Sequence, residues 1–190
     1  MVLYFKGLQD RARLLNRTAL NNPVDFSFSY WGYFMENGAS STPNIISKNY
    51  ASNNSFINYL GGESMIWRTV NNTAASVGTT GFIIDRNKWV HVCCTYRQSD
   101  GRMDIYYNGL PKQNATNTNV LNGGTVADML FNANASIKFR GLMRDFKWWK
   151  KKLVDQEVLD QFLGLGEDNI PDAWYPDRKS TRLNSSHGII

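Results

Sequence analysis

Hydrolysis of a glycosidic bond takes two carboxyl groups flanking it, and a strand supplies such a pair when acidic residues alternate along one face. The four glutamates, Glu36, Glu63, Glu157 and Glu167, lie in no acidic-x-acidic strand pattern. Nucleophilic catalysis by serine or cysteine needs a histidine base within hydrogen-bond reach. Upstream of residue 177 there is one histidine, His91. Cys93 follows it on the same strand face, roughly 6–7 Å along and too far for a direct hydrogen bond. His91 is therefore read as structural. Metal-ligand spacings, a P-loop and a dinucleotide fingerprint are all missing from the sequence. The residue pattern points away from catalysis.

Binding is the better match. Sugars present C–H faces that stack on Trp and Tyr, and hydroxyls that pair with amides and carboxylates. The chain is rich in both kinds of group: aromatics make up 13% of it, and asparagines cluster in "NNP", "ASNNS", "VNNT", "QNATNTN" and "NANAS". The candidate ligand-binding residues are Trp31, Tyr33, His91, Thr95, Asp104 and Tyr106. They are chosen because strand phase turns all of them away from the inferred core.

That phase comes from the elements. "DFSFSYWGYF" (25–34) puts Phe26, Phe28 and Tyr30 on one face and Ser27, Ser29, Trp31 and Tyr33 on the other. "KWVHVCCTYR" (88–97) does the same, with Val90, Val92, Cys94 and Tyr96 opposite Trp89, His91, Cys93 and Thr95. "QSDGR" predicts a hairpin with Gly101 at positive φ, and "MDIYY" returns to an Asn108-Gly109 turn. In that strand Tyr107 points inward and Tyr106 outward. Shorter strand signals stand at "VLYF", "NIISK", "SFINYL", "SMIWRTV", "GFIID" and within "SIKFRGLMRDFKWW". "VDQEVLDQFLGLG" reads as one helix, capped by Asp155 and stopped at Gly164 or Gly166. Many short strands and one helix predict an all-β, two-sheet antiparallel sandwich spanning 1–167, followed by a linker or exit segment at 168–176.

Residues 177–187, "DRKSTRLNSSH", resemble a translated sequencing-adaptor read-through, so 177–190 is set aside as an artefactual tail. That stretch holds three basic residues and one acidic one, so without it the formal charge falls from +5 to +3. So small a charge argues against nucleic acid as partner. The basic-aromatic run "KWWKKK" (147–152) is read as a solvated strand end, with Trp148 and Trp149 on opposite faces. Adjacent Cys93 and Cys94 also face opposite ways and are read as small buried apolar residues. The sequence shows neither a signal peptide nor a transmembrane run, so membrane insertion is not expected.

The order "FKG", "DFSFSYW", "NKWVHVCCTY…DGRMDIYYNG" and "FRGLMRDFKWWKKKLVDQEV" resembles the laminin-G-like jelly roll of the concanavalin A-like lectin and glucanase superfamily. The matching positions are Trp31, Trp89, His91, Tyr106, Asn108, Gly109, Gly141, Leu153 and Glu157. The resemblance implies a jelly-roll fold and a recognition role. It covers about residues 2 to 163. Two departures bear on metal: Lys6 and Arg144-Asp145 stand where the family often has carboxylates. A family-type Ca²⁺ site, and hence any cofactor, is not expected. Asp85, Asp100 and Asp104 offer further oxygens, at a spacing that fits no known loop.

The function expected from these readings is a non-catalytic carbohydrate-binding module with a glycan or glycosylated surface as partner. Its loops at 36–44, 50–55, 71–80 and 112–136 would shape the site. Its setting would be extracellular, or on a virion or tail surface. The rival is a structural or protein–protein interaction domain, bound to its parent polypeptide or to other chains, whose outer face is covered. A glycoside hydrolase comes third.

Overall fold

The computed structural model describes residues 2–5, 12–14, 24–35, 43–48, 55–61, 64–70, 76–78, 81–117, 129–131, 140–166, 171 and 173–175. The strands are, in chain order, β1 (Leu3–Phe5), β2 (Ala12–Leu14), β3 (Phe26–Phe34), β4 (Asn44–Lys48), β5 (Ser55–Gly61), β6 (Ser64–Val70) and β7 (Ser76–Gly78). They continue with β8 (Phe82–Ile83), β9 (Trp89–Arg97), β10 (Arg102–Tyr107), β11 (Leu110–Thr116), β12 (Met129–Phe131) and β13 (Gly141–Trp149). Helix α1 (Asp155–Leu163) and β14 (Ala173–Tyr175) complete the set.

Two antiparallel sheets form the jelly-roll sandwich. The first runs β1-β13-β3-β9-β10-β11, with β14 also pairing β13. The second runs β2-β12-β4-β5-β6-β7, with β8 pairing β6. The alternation in β3 and β9 works as expected. Phe26, Phe28, Tyr30, Val90, Val92, Cys94 and Tyr96 turn inward and are buried between the sheets. Aromatic rings from both sheets interlock there. Phe26 stacks on Trp148 at 5.0 Å between centroids, and Phe28 meets the Trp67 edge at 5.3 Å. Two of the polar groups carried into this layer are paired across it. Tyr30 Oη donates to Asn58 Oδ1 (2.5 Å), and Trp67 Nε1 donates to the Thr95 carbonyl (3.3 Å).

The β9–β10 hairpin turns where Gly101 takes φ 67°. A Cβ added there would lie 1.8 Å from the Asn117 carbonyl oxygen, so glycine is required by both φ and space. At the next turn Asn108 and Gly109 both have positive φ, 51° and 79°. That is the type I′ geometry that matches strand twist. In β13 the pairing with β3 slips by one residue between Arg144 and Lys147, and Asp145 sits at φ 55°.

Several boundaries differ from expectation. β7, β11 and β12 lie within stretches expected as loops. β11, "LPKQNAT", is an edge strand with one mainly exposed side, so it lacks the apolar alternation by which strands are read. Of "GFIID", only Phe82–Ile83 is strand. Of "SIKFRGLMRDFKWW", the strand begins at Gly141, and residues 136–139 lie outside the described residues. Within 168–176, Ala173–Tyr175 pairs with β13 as β14. The tail from 177 onward lies outside the described residues.

The helix also starts differently. Val154, not Asp155, holds the N-cap position, and it has no side chain able to accept a hydrogen bond. Glu157 at the third helical position compensates by accepting the Val154 N–H (2.9 Å). Asp155 falls in the first turn, where a carboxylate is favoured by the helix dipole. Gly164 (φ 74°) closes the helix, with Leu165 N–H donating to the Asp160 carbonyl (2.8 Å).

Candidate functional site

All six candidate residues lie off the inter-sheet core, on the outer face of the first sheet, but they do not form one open surface. Helix α1 lies across the middle of that face. Cys93, Tyr106 and Trp149 pack against Leu153 and Val158 as a second, smaller core. Ser27 fastens the connection: its Oγ donates to the Lys151 carbonyl (2.8 Å) and accepts the Leu153 N–H (2.9 Å). The basic run proves to be more than a solvated strand end. Lys147 donates to Gln161 Oε1 (2.8 Å), and Lys151 and Lys152 pair with Glu157 (2.6 Å) and Asp104 (2.8 Å).

The helix divides the six. His91 is 2% exposed and Thr95 is fully buried, so neither is presented to solvent. His91 lies against Trp31 and Phe162, with ring centroids 5.4 and 6.1 Å away. Burial, reinforced by the Lys147 charge, pushes its pKa down to about 3, and the ring is neutral. At one end of the helix Trp31 stacks on Phe162 (5.7 Å), and Tyr33 meets the Trp89 edge (5.8 Å). The Arg144 guanidinium lies 5.6 Å from the Trp31 ring and 4.6 Å from that of Trp89. Trp31 and Tyr33 are half-buried in this cluster.

At the other end lies a cleft of about 480 Å³ lined by Arg97, Arg102, Asp104, Tyr106, Pro111, Lys112, Gln113, Asn114, Lys152 and Asp155. Two of the six candidates, Asp104 and Tyr106, belong to it. Tyr106 is buried, and its hydroxyl donates to Asp155 Oδ1 (2.8 Å). Burial first, then that carboxylate, raises the phenol pKa well above its ordinary value. Asp104 accepts from Arg102 Nε (2.7 Å) and Lys152 Nζ (2.8 Å). Asn114 stands directly across from Asp104 in the β10–β11 ladder. The cleft is therefore a polar recess with a phenol, carboxylates, amides and cations. Such a set can hydrogen-bond a polyhydroxylated molecule.

Lys112, Gln113 and Asn114 fall in the stretch expected to shape the site (112–136), whereas Arg97 and Arg102 are not among the candidates and Lys152 is read as solvated. One signal was available: in "RQSDGR" the hairpin register puts Arg97 opposite Arg102 once Gly101 is taken as the turn. The expected site loops at 36–44, 50–55, 71–80 and 112–136 fall largely outside the described residues. Among the described residues, no group of three or more His, Cys, Asp or Glu side chains is arranged to hold a metal ion. Cys93 and Cys94 are free and buried, and burial raises both thiol pKa values.

Two stacked antiparallel sheets in jelly-roll order, with one short helix on an outer face, define a lectin-like β-sandwich. Residues 6–159 match the Laminin_G_3 family model of the concanavalin A-like lectin/glucanases superfamily, and the chain belongs to that family. Solved structures of similar fold include a pentraxin from Limulus polyphemus. It has 18% identity and a TM-score of 0.62, with 93% of this chain and 91% of that one covered. Two botulinum neurotoxin domains are also similar, each 18% identical. The serotype G binding domain has a TM-score of 0.65, covering 88% of this chain and 47% of its own. The DC binding domain, solved in complex with SialylT, has a TM-score of 0.67, covering 82% and 39%. This chain thus spans less than half of those neurotoxin domains. No curated protein matches the sequence.

Proposed function

We propose that this domain is a non-catalytic carbohydrate-recognition module of an extracellular or virion-type surface, and that the cleft beside α1 is where it holds a glycan. One observation carries the reading. Asp104 and Tyr106, which line the described cleft, are joined there by Asn114, whose amide makes no side-chain hydrogen bond among the described residues. Amide and carboxylate groups on adjacent strands are the partners that sugar hydroxyls require. The similar neurotoxin structures are named as binding domains, which agrees with recognition as the use of this scaffold. In this reading residues 1–167 are the working unit and calcium takes no part. Trp31 and Tyr33 serve as a flanking aromatic surface with His91 packed against Trp31, and Thr95 stands beside Asp104 in the β9–β10 ladder.

A broad glycan array, run with Asn114→Ala and Trp31→Ala, tests this. Asn114 is exposed, so its loss leaves the fold intact and is expected to weaken binding about tenfold or more, as for one lost polar contact in a desolvated site. An array without a single bound glycan, or binding indifferent to Asn114, would refute it. Turnover of a polysaccharide by the purified protein, or a stoichiometric heat on titration with Ca²⁺, would refute the non-catalytic and calcium-free parts.

A second reading has its own observation. Helix α1 covers the centre of the outer face, which is what an interaction domain with a closed face would look like. It gains ground if the array is blank while the protein still associates with other chains.

A further inference from the structure

Arg97 and Arg102 are direct cross-strand partners in the β9–β10 ladder. Direct partners in an antiparallel pair leave the same side of the sheet, and like charges so placed destabilise it. Both line the cleft. Their carboxylates hold them unequally. Asp100 takes Arg97 through Nε (3.0 Å) and Nη2 (2.5 Å), engaging two nitrogens of the fork. Asp104 takes Arg102 through Nε alone (2.7 Å). The two terminal nitrogens of Arg102 make no hydrogen bond among the described residues. Asp104 is itself shared with Lys152, so one carboxylate answers two cations. Lys112 adds another positive charge from the exposed edge strand, where its ammonium lies 5.8 Å from the Tyr107 ring centroid and its charge also reaches Asp85. The cleft lining thus carries four cationic side chains against two carboxylates, and Asp155 is already engaged by Tyr106.

We propose that the cleft selects saccharides bearing an anionic oxyacid group, a carboxylate or a sulfate ester, and that the terminal guanidinium nitrogens of Arg102 grip that group. The inference rests on the glycan-binding reading and names its ligand class. A planar guanidinium with two parallel N–H donors matches the two oxygens of such a group. Lys112 and Lys152 supply the surrounding positive field, which draws an anionic ligand in and weakens as salt rises. Asn114, one strand over from Asp104, is left for a hydroxyl of the same sugar.

The test uses the intact chain on a matched set of glycans: one neutral backbone, its carboxylated form (sialylated or uronate-capped) and its O-sulfated form. Binding is measured by calorimetry at low and high salt. At least one acidic form is expected to bind more tightly than the neutral backbone, and to lose affinity as salt rises. Arg102→Gln is expected to weaken that form by about 10- to 100-fold, the usual worth of a hydrogen bond to a charged group. Binding of the neutral backbone should fall by less, so that the preference for the acidic form shrinks. Arg102→Lys, which keeps the charge and loses the fork, should recover only part of the affinity. Lys112→Gln, on the exposed edge, should give a smaller loss and a shallower salt dependence without touching the fold. Whether the carboxylated or the sulfated arm responds identifies the source of the anion. Equal affinity for neutral and acidic forms, or an acidic form bound equally well by Arg102→Gln, would overturn this inference and leave glycan binding standing. Failure of all three glycans together with a blank array would overturn both.

Discussion

The attachment of α1 to the sheet depends on one small hydroxyl. Ser27 is fully buried, and its Oγ both donates to the Lys151 carbonyl and accepts from the Leu153 N–H. Ser27→Ala removes both partners at once and leaves two main-chain groups unsatisfied near the small core of Cys93, Tyr106, Trp149, Leu153 and Val158. A buried main-chain group left unpaired costs about 1–3 kcal/mol, and relaxation of the loop toward water recovers some of that. A loss of about 2 kcal/mol is expected, which for a domain of this size lowers Tm by roughly 4–8 °C. Urea unfolding should show a lower midpoint with an unchanged slope. Amide exchange should be fastest to increase in α1, before the inter-sheet core responds. Tyr106→Phe removes a second tie, to Asp155, and the double variant measures whether the two act as one clamp. The reasoning fails if Ser27→Ala unfolds within about 0.5 kcal/mol of the parent, the range of neutral surface changes. It also fails if the helix amides keep their protection.

Three further outcomes follow from other parts of the fold. His91, neutral and held down to about 3 by burial, takes up a proton more readily when unfolded, so stability is highest above about pH 6.5 and falls as pH drops toward 3. Denaturation midpoints across that window should flatten in His91→Leu. Asp100, held at about 2 by its hydrogen bonds with Arg97, should titrate there by carboxyl NMR. Its stabilising share is present above the ordinary carboxylate range and is lost as pH falls through about 2, and Arg97→Gln should return it toward about 3.9. Gly101→Ala should cost at least about 1–2 kcal/mol, from the left-handed backbone alone, before the clash with Asn117 is counted. Thermal melts settle that value.

How much of this was legible in the sequence depended on which side of a strand met water. β3 and β9 have one face in the inter-sheet core, and their large residues alternate cleanly, so fold and phase could be read off directly. Trp149 and Trp148 divided as expected for the same reason. β11 has little to bury, and its "LPKQNAT" looks like a loop. The candidate site was legible in direction but not in access. Period two says that His91, Thr95 and Tyr106 leave the core, yet it carries no information about a helix, distant in sequence, that comes back to cover them. The helix sequence carries an apolar stripe of Val158, Leu159 and Phe162, but nothing in it names the surface on which that stripe is laid. The hairpin register, by contrast, contained the Arg97–Arg102 pairing all along.

The slip in β13 has a consequence for how this chain can vary. Counting by twos from Leu142 would send Phe146 and Trp148 outward with Arg144; the added residue at Asp145 restores both to the interior and turns Lys147 and Trp149 toward α1. Removing that one position would close the bulge, set Phe146 opposite Tyr30, and leave both sides of the second half as they are. Substitutions along this strand are local events. A one-codon loss at 145 is absorbed in the same way, whereas a one-codon insertion in the regular second half would exchange its two sides, so natural relatives should show gaps at 145 far more readily than insertions after it.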